Sequence, residues 1–426
     1  MRNEVTGMRV LTHIKPLLFI LAAILVSGCN NGIVGPGLPK GELPRELTPQ
    51  EKILIEADSK FSYEIFKRTV AFDSDEENLM ISPLSISMAL AMTLNGAKED
   101  TFDEMREALY LTDLDIDDIN NAFKSLTELL TTADRSVTLK IANSIWYREG
   151  LPVEEEFLSS VRDFFDARIE GLDFNDPAAP DIINAWVEEN TEGLIKEIIE
   201  EIEPHMVMYL INALYFKGDW LRPFDIDDTR RANFHLESGR TTQVDMMHQE
   251  GKFALYFSED VQMIEIPYGD SLFSMTVLMP ADPDMPITQF VDEKLSAANL
   301  NSWRSNMFVD SRDITLQLPK FEFEYELEYN DILKAMGIRK AFDEWEANLK
   351  GIADVSPQNL FIDEVKHKTF IRIDEEGTEA AAVTSIGIGI TSMPPQMIVD
   401  RPFVFIIHER ESGTNLFMGK VMNPAL

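Results

Sequence analysis

Residues 375–392 read Glu-Glu-Gly-Thr-Glu-Ala-Ala-Ala-Val-Thr-Ser-Ile-Gly-Ile-Gly-Ile-Thr-Ser, and the fold turns on them. Every second residue from Thr378 to Ile390 is Thr, Ala, Ala, Thr, Ile, Ile, Ile, while positions 379 to 391 hold Glu, Ala, Val, Ser, Gly, Gly, Thr. That two-residue period belongs to a strand with one buried face. Met393-Pro394-Pro395 follows, where two prolines remove backbone donors and bar a continuing ladder, and Glu375-Glu376-Gly377 opens the run as an acidic turn with a flexible pivot. A strand that can first exist as a loop is a spring.

The flanking residues carry a family resemblance. Glu375-Glu376-Gly377-Thr378-Glu379-Ala380-Ala381-Ala382 resembles the hinge of the serpins, serine-protease inhibitors whose exposed reactive loop enters a sheet after cleavage, and Arg401-Pro402-Phe403-Val404-Phe405 resembles the strand after that loop. Upstream, Ser82-Pro83-Leu84-Ser85-Ile86-Ser87, Leu94-Asn95-Gly96-Ala97, Asn184-Ala185-Trp186-Val187 and Asn212-Ala213-Leu214-Tyr215-Phe216-Lys217-Gly218-Asp219-Trp220 are similar to family motifs in the same order. Leu318-Pro319-Lys320-Phe321, His367-Lys368 and Leu416-Phe417-Met418-Gly419-Lys420-Val421 continue it, so the resemblance runs from about residue 50 to the last residue. It implies an α+β fold: one domain over 50–426 with three antiparallel-rich sheets, eight or nine helices and an exposed loop at about 375–400.

Composition excludes other classes. With Lys+Arg 38 against Asp+Glu 74 the formal charge is −36, which would repel phosphate backbones, so no nucleic-acid partner is expected. A hydrophobic content of 45% supplies a core and argues against an acidic disordered chain. An enzyme is not expected either, because the chain has no G-x-S-x-G, no H-E-x-x-H and six histidines without ligand spacing. No cofactor or metal is called for.

Residues 1–28 form a separate segment. Arg9 and Lys15 precede an apolar run from Leu17 to Val26, too short for a membrane span and suited to a signal-peptide core. Leu25-Val26-Ser27-Gly28-Cys29 resembles a bacterial lipoprotein cleavage box, which implies that Cys29, the single cysteine, becomes the lipid-bearing first residue; Met8 is an alternative start. Removing 1–28 takes away Arg2, Arg9, Lys15 and Glu4, which together carry +2, and leaves −38. Acyl chains at ~0.8 kcal/mol per buried methylene would hold the protein at a membrane of the bacterial cell envelope, with the outer membrane or cell surface as the expected place. Residues 30–49 contain four glycines and four prolines and read, with Cys29, as a flexible tether.

In the body, periodicity predicts helices near Glu51–Phe72, Leu84–Met92, Thr101–Leu109, Ile119–Leu130 and Ile182–Ile199. Strands are predicted at Thr138–Trp146, Met206–Tyr215, Gln262–Ile266, Phe273–Met279, Ile314–Leu318, Asn359–Ile373 and Pro402–His408.

The resemblance also implies site residues. Ser82, Ser85, Asn212 and His367 match a polar cluster in mid-sheet, the shutter, although Ser82 is by itself a sufficient helix cap. Lys320, Glu375 and Trp220 match the breach, where insertion begins; a solvent-facing charge and a core aromatic are the plainer explanations. Fifteen residues from the hinge glycine place the reactive bond at Thr391–Ser392, with Ile390 as the register alternative. Those side chains suit a small or medium apolar pocket, so elastase-like or subtilisin-like serine proteases are the expected partners of a monomeric inhibitor; the acidic surface reads by default as a solvated one, with electrostatic steering of basic proteases as the alternative. The competing reading is a non-inhibitory serpin-fold lipoprotein acting as a binding protein or a protease substrate.

Overall fold

Pro49 and a reciprocal cap start the first helix: Thr48 accepts from the Glu51 N–H while the Glu51 carboxylate accepts from the Thr48 N–H. The computed structural model in which this is seen describes residues 41–73, 77–378 and 396–425. Among these residues the helices are α1 (Pro49–Phe72), α2 (Pro83–Leu94), α3 (Glu99–Ala108), α4 (Ile116–Thr132), α5 (Glu155–Phe165), α6 (Ala179–Asn190), α7 (Ile287–Glu293), α8 (Ala297–Ser305) and α9 (Asn330–Ala335). The strands of the first half are β1 (Leu79–Ile81), β2 (Val137–Arg148), β3 (Arg168–Leu172), β4 (Met208–Asp219), β5 (Arg230–His235), β6 (Thr241–Gly251), β7 (Ala254–Phe257) and β8 (Val261–Pro267). The rest are β9 (Phe273–Pro280), β10 (Phe308–Val309), β11 (Ile314–Pro319), β12 (Phe321–Glu328), β13 (Lys366–Ile373), β14 (Gly377–Thr378), β15 (Gln396–Ile398), β16 (Phe403–Glu409) and β17 (Asn415–Val421). The result is the α+β fold expected from the sequence.

Three sheets were expected, and among the described residues four hydrogen-bonded groups occur. A seven-stranded antiparallel sheet runs β1-β17-β16-β9-β8-β7-β10, and a four-stranded one runs β15-β11-β6-β5. The other two are β12-β13 and β14-β4-β2-β3. The extra group arises because, among the described residues, no ladder joins β13 to β4; the short β14 that follows β13 in the chain pairs with β4 alone.

Two apolar clusters sit on opposite faces of β4. Leu214 and Phe216 belong to the main core, and the side chain of Asn212 reaches Ser85 and Met88 on α2. Ile211 and Ala213 belong to a smaller cluster with Trp146 and with Ile183 and Trp186 of α6. Even-numbered residues of β4 therefore face α2 and odd-numbered ones face α6.

Two predicted elements end differently. The helix predicted over Ile182–Ile199 stops at Asn190, because Glu192 and Gly193 take φ of 51° and 82° and the Thr191 side chain bonds back to Val187 O. Ile195, Ile198 and Ile199 are still buried, since Asn184 Oδ1 accepts the N–H groups of Ile198 and Ile199. The strand predicted from Asn359 begins only at Lys366, since Ile362 N–H bonds to Ala341 O, and Asn330 takes up Asp363 O and Val365 N–H. Gly41–Thr48, assigned by composition to a tether, is packed: Leu43 and Leu47 lie on the core, and Arg45 forks onto buried Glu51 at 2.8 and 2.6 Å. Residues 1–40, with the expected signal peptide and Cys29, lie outside the described residues.

Candidate functional site

The chain leaves β13 through a turn in which Asp374 Oδ1 accepts the N–H groups of Glu376 and Gly377, at 3.0 and 3.3 Å. Gly377 then pairs with Asp219 and Thr378 with Gly218, starting β14 against β4. Gly377 has φ +146°, and a Cβ there would lie 2.2 Å from Gly218 O, so a side chain is excluded on both counts. Backbone bonds fix the turn: Trp220 N–H to Glu376 O and Phe224 N–H to Glu375 O, both 2.7 Å. Trp220 also donates its indole N–H to Asp374 O at 3.0 Å and stacks on Tyr268, with centroids 4.4 Å apart.

Glu375 is buried, and its carboxylate accepts from Lys320 Nζ at 2.6 Å and from Thr229 Oγ1 at 2.7 Å. Burial acts to raise its pKa, but the bonds from Lys320 and Thr229 outweigh this and hold it below the usual carboxylate range. Lys320, Glu375 and Trp220, predicted together, do meet at the end of the seam.

Below β14 the seam between β4 and β13 stays open over three unequal spaces. The upper one, about 30 Å³, lies between Leu214–Phe216 and Phe370–Arg372 beside Thr378. A middle space of about 10 Å³ is bordered by Ser82, Ser85, Asn212 and His367. The lowest is a cavity of about 560 Å³ lined by Met206, Met208 and Leu210 on one side, Phe361 and Val365 on the other, and Ile86 and Leu90 of α2 beneath.

The middle space is walled by a polar chain that grips the start of α2 from both sides. From β13, His367 Nε2 accepts the Ser82 backbone N–H at 2.9 Å, so the ring is neutral with its proton on Nδ1. From β4, the Asn212 side chain bonds the Ser85 hydroxyl and reaches Asn143 Oδ1 at 2.7 Å; Asn143 in turn donates to Phe165 O at 2.7 Å. Thr369 donates to Met80 O at 2.7 Å. Each half of the divided sheet is thus bolted to α2 separately, and neither is bolted to the other here.

Burial lowers the His367 pKa to about 3. A buried base with a depressed pKa leaves the unfolded chain the better proton binder, so stability is complete above about pH 6.5 and falls with pH down towards 3. The loss should reach about 3 kcal/mol near pH 4. Melting temperatures measured from pH 7 to 4 should fall less steeply for His367→Asn than for the parent; parallel curves would contradict the assignment.

The structure places Ser82, Ser85, Asn212, His367, Trp220, Lys320, Glu375, Gly377 and Thr378 along this one seam. Glu379, Ala380, Ala381, Ala382, Ile390, Thr391 and Ser392 lie outside the described residues. Sequence reasoning missed Asn143, Thr229, Tyr268 and Thr369, which carry no local pattern of their own. Among the described residues no group of His, Cys, Asp and Glu could hold a metal ion, and no helix is long and apolar enough to cross a membrane.

The serpin (serine protease inhibitor) family model matches residues 56–424. A serpin-like protein of Thermococcus kodakarensis is 35% identical over 383 residues, covering 88% of this chain and 87% of its own. The native state of the thermophilic serpin tengpin superposes with a TM-score of 0.81 at 32% identity, over 90% of this chain and 97% of tengpin. Human thyroxine-binding globulin superposes with a TM-score of 0.79 at 28% identity, over 88% and 99%. With nearly the whole described body matched by both sequence and fold, the chain belongs to the serpin family, in general a family of protease inhibitors.

Proposed function

We propose that this protein traps serine proteases by presenting the segment after Thr378 as a substrate and then drawing its cleaved end into the seam between β4 and β13. One observation carries the reading: the segment would match the seam position by position. Continuing the register of Gly377 with Asp219 and Thr378 with Gly218 would put Ala382 opposite Leu214, Thr384 opposite Asn212 and Ile388 opposite Met208. Even-numbered residues would then face α2. Ala380 and Ala382 would enter the narrow upper space, Thr384 would meet the polar chain, and Ile386, Ile388 and Ile390 would fill the 560 Å³ cavity.

Chemistry follows from that geometry. The protease serine would attack the carbonyl of Thr391, the Ser392 amine would leave, and the loop would remain bound to the enzyme as an ester. Fifteen residues at ~3.3 Å each span roughly 50 Å, enough to carry the acylated enzyme from one end of the seam to the other. A triad and oxyanion hole distorted on arrival cannot complete deacylation. Thr391 and Ile390 fit a small or medium apolar pocket, which supports elastase-like or subtilisin-like targets.

Incubating the membrane fraction, where a lipid on Cys29 would hold the full chain, with an elastase-like protease tests the reading. A denaturation-resistant adduct with release of the fragment beginning at Ser392 is expected. Cleavage without adduct would leave a substrate, neither would leave a binding protein, and recovery of the chain in the soluble fraction would remove the anchor.

A further inference from the structure

The first residues of a new strand are its costly ones, because backbone torsions are fixed before a ladder repays the lost freedom. In this molecule they are already ordered. Gly377 and Thr378 are paired with β4, and the buried Thr378 hydroxyl lies 3.1 Å from the buried hydroxyl of Tyr268. Among the described residues neither hydroxyl has another hydrogen-bond partner. Tyr268 cannot drift: its backbone N–H bonds to Phe273 O, Gly269 N–H bonds to Asp219 O, and its ring is stacked on Trp220 and met edge-on by Phe216 at 5.1 Å. One rigid hydroxyl therefore faces the first residue past the hinge glycine, in the seam and in register.

We propose that Tyr268 is a positioning residue for strand insertion, its hydroxyl pinning Thr378 so that the cleaved segment lengthens an existing nucleus. The inference rests on the trapping reading above and adds its starting point. Insertion competes with deacylation, so a weaker nucleus slows insertion and lets more loops be cut without capture. Loss of one neutral buried hydrogen bond should slow insertion by about fivefold. The quantity to read is the excess of molecules cleaved over molecules trapped.

The test uses the full chain, an elastase-like protease and four variants: Tyr268→Phe, Thr378→Val, the two combined, and Thr378→Ser. Tyr268→Phe and Thr378→Val should each raise that excess about fivefold, the double variant should be no worse than either, and Thr378→Ser should behave as the parent. Lower melting of the intact variants with an unchanged excess would show a structural contact only and overturn the proposal, as would additive effects. If the parent traps nothing, the function proposed above falls and a second measurement decides this one. Chains nicked by a metalloprotease, which forms no acyl-enzyme, are followed as they gain heat resistance; an equal rate for parent and Tyr268→Phe overturns the pinning role, and a slower rate in the variant upholds it.

Discussion

Cut at the Thr391–Ser392 bond, the protein should melt on the order of 15 °C higher than the intact chain. Among the described residues β4 and β13 present unpaired edges to each other over most of their length, and a cavity of about 560 Å³ lies under the lower half. An inserted strand makes ladder bonds on both edges at about 1 kcal/mol each, and these roughly offset ~1–2 kcal/mol of ordering per residue. The surplus comes from Ile386, Ile388 and Ile390 filling the cavity at about 2 kcal/mol apiece, together with the closing of the upper spaces. At roughly 2 °C per kcal/mol for a domain of this size, that surplus gives the predicted rise. Calorimetry on intact and nicked protein checks it. Equal transitions would mean that the seam is no store of free energy, and the trapping reading would go with it.

The hinge turn was legible because it depends on a short local code. Gly377 has to be glycine by φ and by contact with Gly218 O, and it stands directly after the acidic pair that opens the turn. The N-cap of α2 was legible for the same reason: Ser82 and Pro83 sit next to the turn they start, and the Ser82 hydroxyl does accept from the Ser85 N–H. The grouping of Ser82, Ser85, Asn212 and His367 was not. Their partners are 127 and 285 residues away, and only the family resemblance linked them.

Where long-range packing decides, local reading failed. The apolar period through Ile195, Ile198 and Ile199 continues that of α6, and nothing in it announces that Thr191 captures the Ile195 N–H, that Asn184 captures those of Ile198 and Ile199, and that the helix ends at Asn190. β12 was overlooked although Phe321-Glu322-Phe323-Glu324-Tyr325 alternates cleanly; its glutamates resemble a helix surface until β13 supplies Lys368 at 3.2 Å from Glu326 and Arg372 at 2.7 Å from Glu322. The divided sheet could not be read at all. A missing ladder is a relation between two strands, each of which has the sequence of a fully paired one.

Ala382→Pro should leave cleavage at Thr391–Ser392 intact and abolish trapping. Nothing near the scissile bond changes, so the protease meets the same nine residues on the N-terminal side of the cut. Insertion meets an obstacle in its upper part, before the larger cavity is reached. On insertion, continuing the register of Gly377 and Thr378 would set Ala382 opposite Leu214, beside a space of only about 30 Å³, and proline there lacks the N–H that a central strand gives to its neighbour. A cost of about 3 kcal/mol or more at a residue that must enter early slows insertion roughly 100-fold, while deacylation keeps its rate. Gel analysis of the variant with an elastase-like protease should therefore show complete conversion to the cut form, no adduct and catalytic turnover of the enzyme. The cut variant should also lose most of the added heat resistance, because the strand stops below Ala380 and its three isoleucines never reach the cavity. An adduct formed as readily as by the parent would mean that capture does not require this residue to enter the sheet, and that the protease is held by some contact outside the seam.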